Sequence, residues 1–279
     1  MDGTALAAKV RAEVQADVAE LRDLGLATVL VGDDPASQIY IRLKHKAADE
    51  VGIRAIDKRL PADTSEEDVL ELVGELNEDD EVDGILVQTP LPSHIDEARV
   101  MRSLDPMKDV DGLHPFNAGQ LFQGRQTLVP ATPVGIVRLL DEYEVAVAGA
   151  HAVVVGRSLI VGRPVAMLLL HRNATVTICH SRTEELAGHT RSADILVAAV
   201  GSPGLITADM VKHGATVIDV GITRTEAGLH GDVDPGVAEM AGFLTPVPGG
   251  VGPMTIAALL GNTVRAARFR QGVLAFPRV

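Results

Sequence analysis

The 279-residue chain contains one cysteine, Cys179, no tryptophan, and aromatic residues at only 3% of positions. A single thiol excludes an internal disulfide and a CxxC zinc pair, leaving Cys179 to be read as a small buried residue at a strand end. Nine histidines are scattered without an HExxH pair, so no metal site is expected. Neither G-x-S-x-G nor G-x-x-x-x-G-K-[ST] occurs, which argues against serine-hydrolase and nucleotide-hydrolase chemistry. Basic residues number 25 against 38 acidic ones, a net charge of −13 with no Lys/Arg run. Nucleic acid is therefore not an expected partner. No apolar run reaches the roughly 18 residues of a membrane-spanning helix. The opening MDGTALAAKVRAEV lacks the charged start and unbroken apolar core of a signal peptide, so a cytoplasmic protein is expected.

What is present is a repeated alternation of strand-like and helix-like segments, which implies parallel sheets covered by helices. The stripe Leu6, Val10, Val14, Val18 and Leu21 predicts a first helix stopped by Gly25, followed by a strand at 27–31. Asp34 as N-cap, Pro35 at the first helical position and Gly52 as C-cap bound a second helix, with a core stripe of Ile39, Leu43, Ala47 and Val51. A strand at 53–60 precedes a capping box of Thr64 and Glu67, and 84–88 reads as a buried strand ending in Gln88. The pattern loosens around 121–132, and Thr132-Pro133 starts another helix. Strands are then expected near 152–155, 174–179, 195–200, 216–220 and 242–244, with a last helix from Met254 to about Arg268.

Three stretches stand out chemically. VVVGRSLIVGRPVAMLLL, from Val153 to Leu170, reads as a strand, a glycine-bounded turn and a helix start. Free N–H groups at such a helix start suit a phosphate or pyrophosphate. Its G-x-x-x-x-x-G spacing departs from the G-x-G-x-x-G fingerprint and also fits an ordinary strand-to-helix turn. Arg157 and Ser158, with Ser181 at the next strand end, are placed for the 2′-phosphate of NADP. Tyr40 and Lys44, at i and i+4, project from one helix face. They fit either a solvated lysine beside a half-buried tyrosine or a proton-transfer group beside an aromatic platform, with Gln88 as its nearest partner. A proton-transfer lysine needs burial or cationic neighbours to lower its pKa from about 10.4. Asp105, Asp109 and Asp111, around KDVDG at 108–112, fit a surface turn or hard-metal ligands, without the glycine and terminal glutamate of a calcium loop.

Together, VGDDPASQIYIRLK (31–44), DGILVQTPLP (83–92), KDVDGLHPFNAGQL (108–121), GRSLIVGRP (156–164), ATVTICHSRT (174–183), GATVIDVGI (214–222) and TPVPGGVGPMT (245–255) resemble, in order, the bifunctional methylenetetrahydrofolate dehydrogenase/methenyltetrahydrofolate cyclohydrolase family. The resemblance implies a two-domain α/β fold. Residues 1–120, completed by a C-terminal segment 253–279, would form a folate-binding catalytic domain with a parallel sheet. Residues 121–252 would form a Rossmann-like NADP-binding domain, with the active cleft between the two. It further implies NADP as cofactor, tetrahydrofolate derivatives as substrates and a homodimer. By position, Lys44 takes the proton-transfer role, Tyr40 lines the folate, Gln88 partners Lys44 and Asp111 holds the pterin, while Pro90 and Gly112 join the substrate site. Gly156, Arg157, Ser158, Ile160, Val161, His180, Ser181, Arg182, Ile222 and Thr263 match cofactor contacts. The implied chemistry is hydride transfer from 5,10-methylenetetrahydrofolate to NADP, then hydrolysis of the methenyl product to 10-formyltetrahydrofolate. Family members usually carry a short strand ahead of the Asp-Gly seen at Asp2-Gly3, and Thr89 and Ala131 replace a common Leu and Cys. The alternatives are another two-domain dehydrogenase, such as a shikimate-dehydrogenase-like one, which would not need the Gln88 loop or KDVDG, and a non-catalytic nucleotide-sensing module, which would have no use for Tyr40 and Lys44.

Overall fold

The computed structural model describes every residue except Arg22, Gln126, Ala227, Arg278 and Val279. The chain forms two compact units, one of residues 9–131 with 256–279 and the other of residues 1–8 with 132–255. In chain order the elements are α1 (Gly3–Ala19), β1 (Leu24–Val31), α2 (Pro35–Val51), β2 (Ile53–Leu60), α3 (Glu66–Glu78), β3 (Gly84–Val87), α4 (Glu97–Ser103), α5 (Pro115–Phe122), α6 (Ala131–Glu142), β4 (His151–Val155), α7 (Gly162–His171), β5 (Thr175–Cys179), α8 (Leu186–Thr190), β6 (Ile195–Ala198), β7 (Thr216–Asp219), β8 (Thr223–Thr225), β9 (Gly228–His230), β10 (Phe243–Leu244) and α9 (Val251–Arg270).

The division lies elsewhere than a cut at residue 120. Residues 121–131 group with the β1 unit because Leu128 and Val129 are buried and Thr127 donates to Asn117. Residues 1–8 group with the β4 unit, where the Thr4 N–H donates to the Gly249 carbonyl at 3.1 Å. The expected C-terminal segment to 279 is helical as far as Arg270; its last two positions lie outside the described residues.

In the β1 unit a three-stranded parallel sheet has the order β2-β1-β3. Central β1, LGLATVLV, is buried along its whole length, which is why it reads as an uninterrupted apolar run. Gly25 does not stop α1, which ends at Ala19; it lies inside β1, where a Cβ would come within 2.0 Å of the Glu81 carbonyl oxygen. Only a residue without a side chain tolerates that approach. Asp34 caps α2 by accepting the Ser37 N–H at 2.7 Å, and Gly52 closes it with a left-handed φ of 88°. The buried face of α2 runs through Ser37, Ile41, Ala47, Ala48 and Val51. Ile39 and Leu43, expected in the core, are 44% and 47% exposed. The helix carries two apolar stripes, and periodicity alone does not choose between them. The cap of α3 is Ser65, accepting the Asp68 N–H at 3.1 Å, one residue later than the expected Thr64–Glu67 box. Helix α9 begins at Val251, three residues before Met254, since Pro253 sits in the first turn where a missing N–H costs nothing.

In the β4 unit five parallel strands take the order β10-β7-β6-β4-β5. Relabelled within the sheet this is 5-4-3-1-2, the doubly wound arrangement whose order reverses between its first and third strands, here β4 and β6. Ligands bind at the carboxyl ends beside such a reversal. A short antiparallel pair, β8 and β9, follows β7 and was not expected from the sequence pattern. No described helix is long and apolar enough to cross a membrane.

Candidate active site

In the β1 unit, Tyr40 and Lys44 stand one turn apart on α2, and Gln88 follows β3 at its carboxyl end. The Lys44 Nζ donates to Gln88 Oε1 at 3.1 Å, while Gln88 Nε2 donates to the Thr89 carbonyl at 2.8 Å. The second bond turns the amide so that its oxygen faces the lysine. Burial lowers the Lys44 pKa below the ordinary lysine range, and the Asp111 carboxylate opposes that shift. Burial likewise raises the Asp111 pKa, opposed by Lys44. The two groups are thus electrically coupled on one unit, with half-exposed Tyr40, Ile39 and Leu43 providing an apolar surface on α2. Thr89–Pro90 is a cis peptide, and Pro90 is exposed.

KDVDG is not a surface turn. Lys108 is buried, donating from Nζ to the carbonyls of Leu76 and Asp79 at 2.9 and 2.8 Å, where it caps the C-terminal end of α3. Asp109 is fully buried, and its Oδ2 accepts from the His114 N–H and from Asn117 Nδ2. Asp105 accepts the Met107 N–H. Two of the charges therefore build the loop, and the third, Asp111, is the carboxylate whose charge acts on Lys44. Gly112, with φ of 65°, lies so close to the 129–130 peptide that a Cβ would meet the Val129 carbonyl carbon at 2.6 Å. Among the described residues no group of three or more His, Cys, Asp or Glu converges as metal ligands.

In the β4 unit, Gly156 ends β4 with φ of 128°, and a Cβ there would lie 2.2 Å from the Ala199 carbonyl oxygen after β6. A Cβ on Gly162 would lie 2.2 Å from the Gly156 carbonyl oxygen. The two glycines therefore let the loop fold tightly over the β4/β6 reversal. Arg157, Ser158 and Ile160 are exposed there, whereas the Val161 side chain is buried. The helix start itself is not free for an anion. Ser158 Oγ accepts the Val161 and Gly162 N–H groups, the Arg163 and Val165 N–H groups donate to the Ser158 and Val161 carbonyls, and Pro164 has none. Among the side chains at this loop, the Arg157 guanidinium and the hydroxyl hydrogen of Ser158 are suited to an anion.

His180, Ser181 and Arg182 form a turn after β5, in which His180 Nδ1 accepts the Arg182 N–H, and Ser181 and Arg182 are exposed. Ile222, after β7, is 44% exposed. Thr263 is different: it belongs to the β1 unit, is fully buried, and its hydroxyl donates to the Leu259 carbonyl within α9. Its side chain is committed to the helix rather than offered to a ligand. Sequence reasoning passed over Asp232, which accepts the Val200, Gly201 and Ser202 N–H groups and so shapes the loop after β6. It also passed over Asp219, which accepts from Gly221, Asp232 and Val233. The only local signal was an isolated Gly-Asp-Val-Asp at 231–234.

A lysine of lowered basicity held by a glutamine and acted on by a carboxylate, on a chain that also carries a glycine-lined reversal in a doubly wound sheet, defines a dinucleotide-dependent α/β enzyme. Residues 1–111 match the catalytic domain of tetrahydrofolate dehydrogenase/cyclohydrolase, and residues 130–271 match the NAD(P)-binding domain of the same family. The chain belongs to the tetrahydrofolate dehydrogenase/cyclohydrolase family. It is 57% identical over 274 residues to the bifunctional protein FolD of Moorella thermoacetica, covering 96% of this chain and 98% of that protein. A crystal structure of the bifunctional FolD of Campylobacter jejuni superposes with a TM-score of 0.94 at 46% identity, over 96% of this chain and 98% of that one. The Trypanosoma brucei FolD, solved with NADP cofactor and an inhibitor, gives 0.92 at 40% identity, over 99% and 98% of the two chains. A Peptoclostridium difficile shikimate dehydrogenase, at 14% identity and a TM-score of 0.51, shares the fold alone.

Proposed function

We propose that this chain oxidises 5,10-methylenetetrahydrofolate with NADP and hydrolyses the resulting 5,10-methenyltetrahydrofolate to 10-formyltetrahydrofolate, with Lys44 as the proton-transfer group. The observation that carries the reading is the Lys44–Gln88 hydrogen bond of 3.1 Å beside the coupled Asp111. Family membership supplies the reaction, and the hydrogen bond supports this reading of the parts.

Tyr40, with Ile39 and Leu43, offers the folate an apolar face. Asp111 accepts hydrogen bonds from the donor edge of the pterin, a charge-assisted contact, and Gly112 and Pro90 line the same site. The Gly156 loop fits a dinucleotide because it lies at the sheet reversal, and Arg157 and Ser158 present donors suited to a 2′-phosphate. Ser181, His180 and Arg182 extend that polar rim, and Ile160 and Ile222 provide its apolar contacts, with Val161 contributing backbone only. NADP, when bound, accepts the hydride from the methylene carbon. That step leaves a cationic methenyl group and asks the protein for alignment more than for an acid or base. Hydrolysis adds water to the cation and needs protons moved. Lys44, lowered by burial and oriented by Gln88, is the group that moves them.

The chain is proposed to work in the cytoplasm and as a homodimer. The sheet edge at β5 supports the second point, since it carries exposed Ile178 beside unpaired backbone groups. Sedimentation of the wild type and of Ile178→Lys tests it, with a monomeric wild type as the overturning result. The activity is tested by mixing the purified chain with 5,10-methylenetetrahydrofolate and NADP. Absorbance should report NADPH formation, a transient methenyl compound and its decay. Absence of NADPH formation overturns the reading.

A further inference from the structure

We propose that Asn262, on α9, is a positioning residue for Asp111, setting the folate site through two backbone carbonyls. The inference rests on the reading above that Asp111 holds the pterin.

Asn262 is buried, and its Nδ2 uses both hydrogens: one bond of 2.7 Å to the Val110 carbonyl and one of 2.8 Å to the Val129 carbonyl. The first acceptor belongs to the peptide that joins Val110 to Asp111. The second belongs to the peptide between Val129 and Pro130, against which Gly112 is pressed. One amide therefore fixes the spacing of the two backbone segments on either side of the Asp111–Gly112 turn. The Gly112 N–H closes the turn locally on the Asp109 carbonyl at 3.0 Å, and Asn262 adds the long-range tie, to partners 152 and 133 residues away in sequence. Below the turn, the Asp109 and Asn117 side chains hold the start of the loop. From the α9 side it is Asn262 that meets the backbone next to Asp111. A carboxylate that must accept from a planar ring edge works only within a narrow range of direction, and a shift of ~1 Å can cost about 100-fold in rate.

The test uses Asn262→Leu, which keeps the volume and removes both donors, and Asn262→Asp, which keeps the shape and replaces the donors by an acceptor. Both are made in the full chain, alone and combined with Asp111→Ala. The expected result is a rise of about 10-fold to 100-fold in KM for 5,10-methylenetetrahydrofolate with NADP affinity unchanged, and no further rise when Asn262→Leu is added to Asp111→Ala. Should these variants unfold, Asn262→Ser, which can still donate one bond, takes their place, with a smaller KM rise expected. Lower thermal stability with unchanged KM, or a full additional loss on top of Asp111→Ala, would overturn the assignment by reducing Asn262 to a packing role. Asp111→Ala alone distinguishes the two levels: normal folate KM in that single variant removes the role of Asp111 itself, and with it that of Asn262.

Discussion

Lys44 and Gln88 are joined by a 3.1 Å bond from Nζ to Oε1, and the same glutamine is fixed by its bond to the Thr89 carbonyl. The lysine is thus aimed as well as buried. Lys44→Met keeps the apolar stem and removes the amine, so the fold should persist. Cyclohydrolase activity should fall by about 100-fold or more, the scale of a general acid–base group. NADP-dependent dehydrogenase activity should remain measurable, with the methenyl compound accumulating. Hydrolysis at the wild-type rate by a folded Lys44→Met protein would place proton transfer elsewhere.

Asp111 stabilises the charged form of Lys44 against the larger effect of burial. Replacing the carboxylate by the neutral Asp111→Asn removes the charge that opposes that burial, so the lysine should lose its proton at lower pH. The limb of the cyclohydrolase pH profile that reports Lys44 should move to more acidic pH in this variant. A profile moving toward alkaline pH, or one that stays put, contradicts the coupling.

Much of this arrangement was legible before any coordinates. Apolar runs at β1 and β4 marked buried parallel strands, and Asp34, Pro35 and Gly52 bounded α2 because each acts on its own neighbours. What escaped depends on partners far away in sequence. Asp109 fitted a surface turn or a hard-metal ligand, and Lys108 carried no reading of its own, because their partners, on α5 and at the end of α3, are invisible to spacing rules. Asn262 carried no signal for the same reason. The buried face of α2 was placed at Ala47 and Val51 but misplaced in its first half, because Ile39 and Leu43 satisfy the helical period as well as Ile41 and Ala48 do. The cofactor loop was legible in position but not in detail, since Ser158 spends its acceptor capacity on the start of α7.

That detail yields a prediction about cofactor choice. With the helix N–H groups occupied, discrimination at the 2′ position falls to side chains, foremost Arg157. Arg157→Ala should weaken NADP binding far more than NAD binding, as measured by fluorescence titration. Equal losses for both, or a wild-type preference for NAD, would refute the assignment. Ser158→Ala should in addition lower stability by about 1 kcal/mol, because it uncaps α7.

The last prediction concerns Asp219, whose pKa is raised to about 6, chiefly by burial, against the opposing N–H groups of Asp232, Val233 and Gly221. In the unfolded chain the same carboxyl titrates near 3.8. Between those values the folded state binds more protons than the unfolded one, so stability falls as pH rises from about 4 to about 6 and then levels. The ceiling on this effect is about 3 kcal/mol, from two pKa units at ~1.4 kcal/mol each. His45, lowered mainly by burial, changes stability in the opposite direction as pH rises toward 6.5, so a single unfolding curve does not isolate Asp219. The difference between proteins does. Asp219→Asn removes the titration while keeping the shape, at the cost of one N–H acceptor. Its stability relative to wild type should therefore improve from pH 4.5 to about pH 6 and then level toward pH 7, as followed by urea unfolding at each pH. A wild-type-minus-variant difference that stays flat across that range would mean that Asp219 is already ionised at the acid end and that its buried hydrogen bonds, not its proton, hold the loops after β6 and β7.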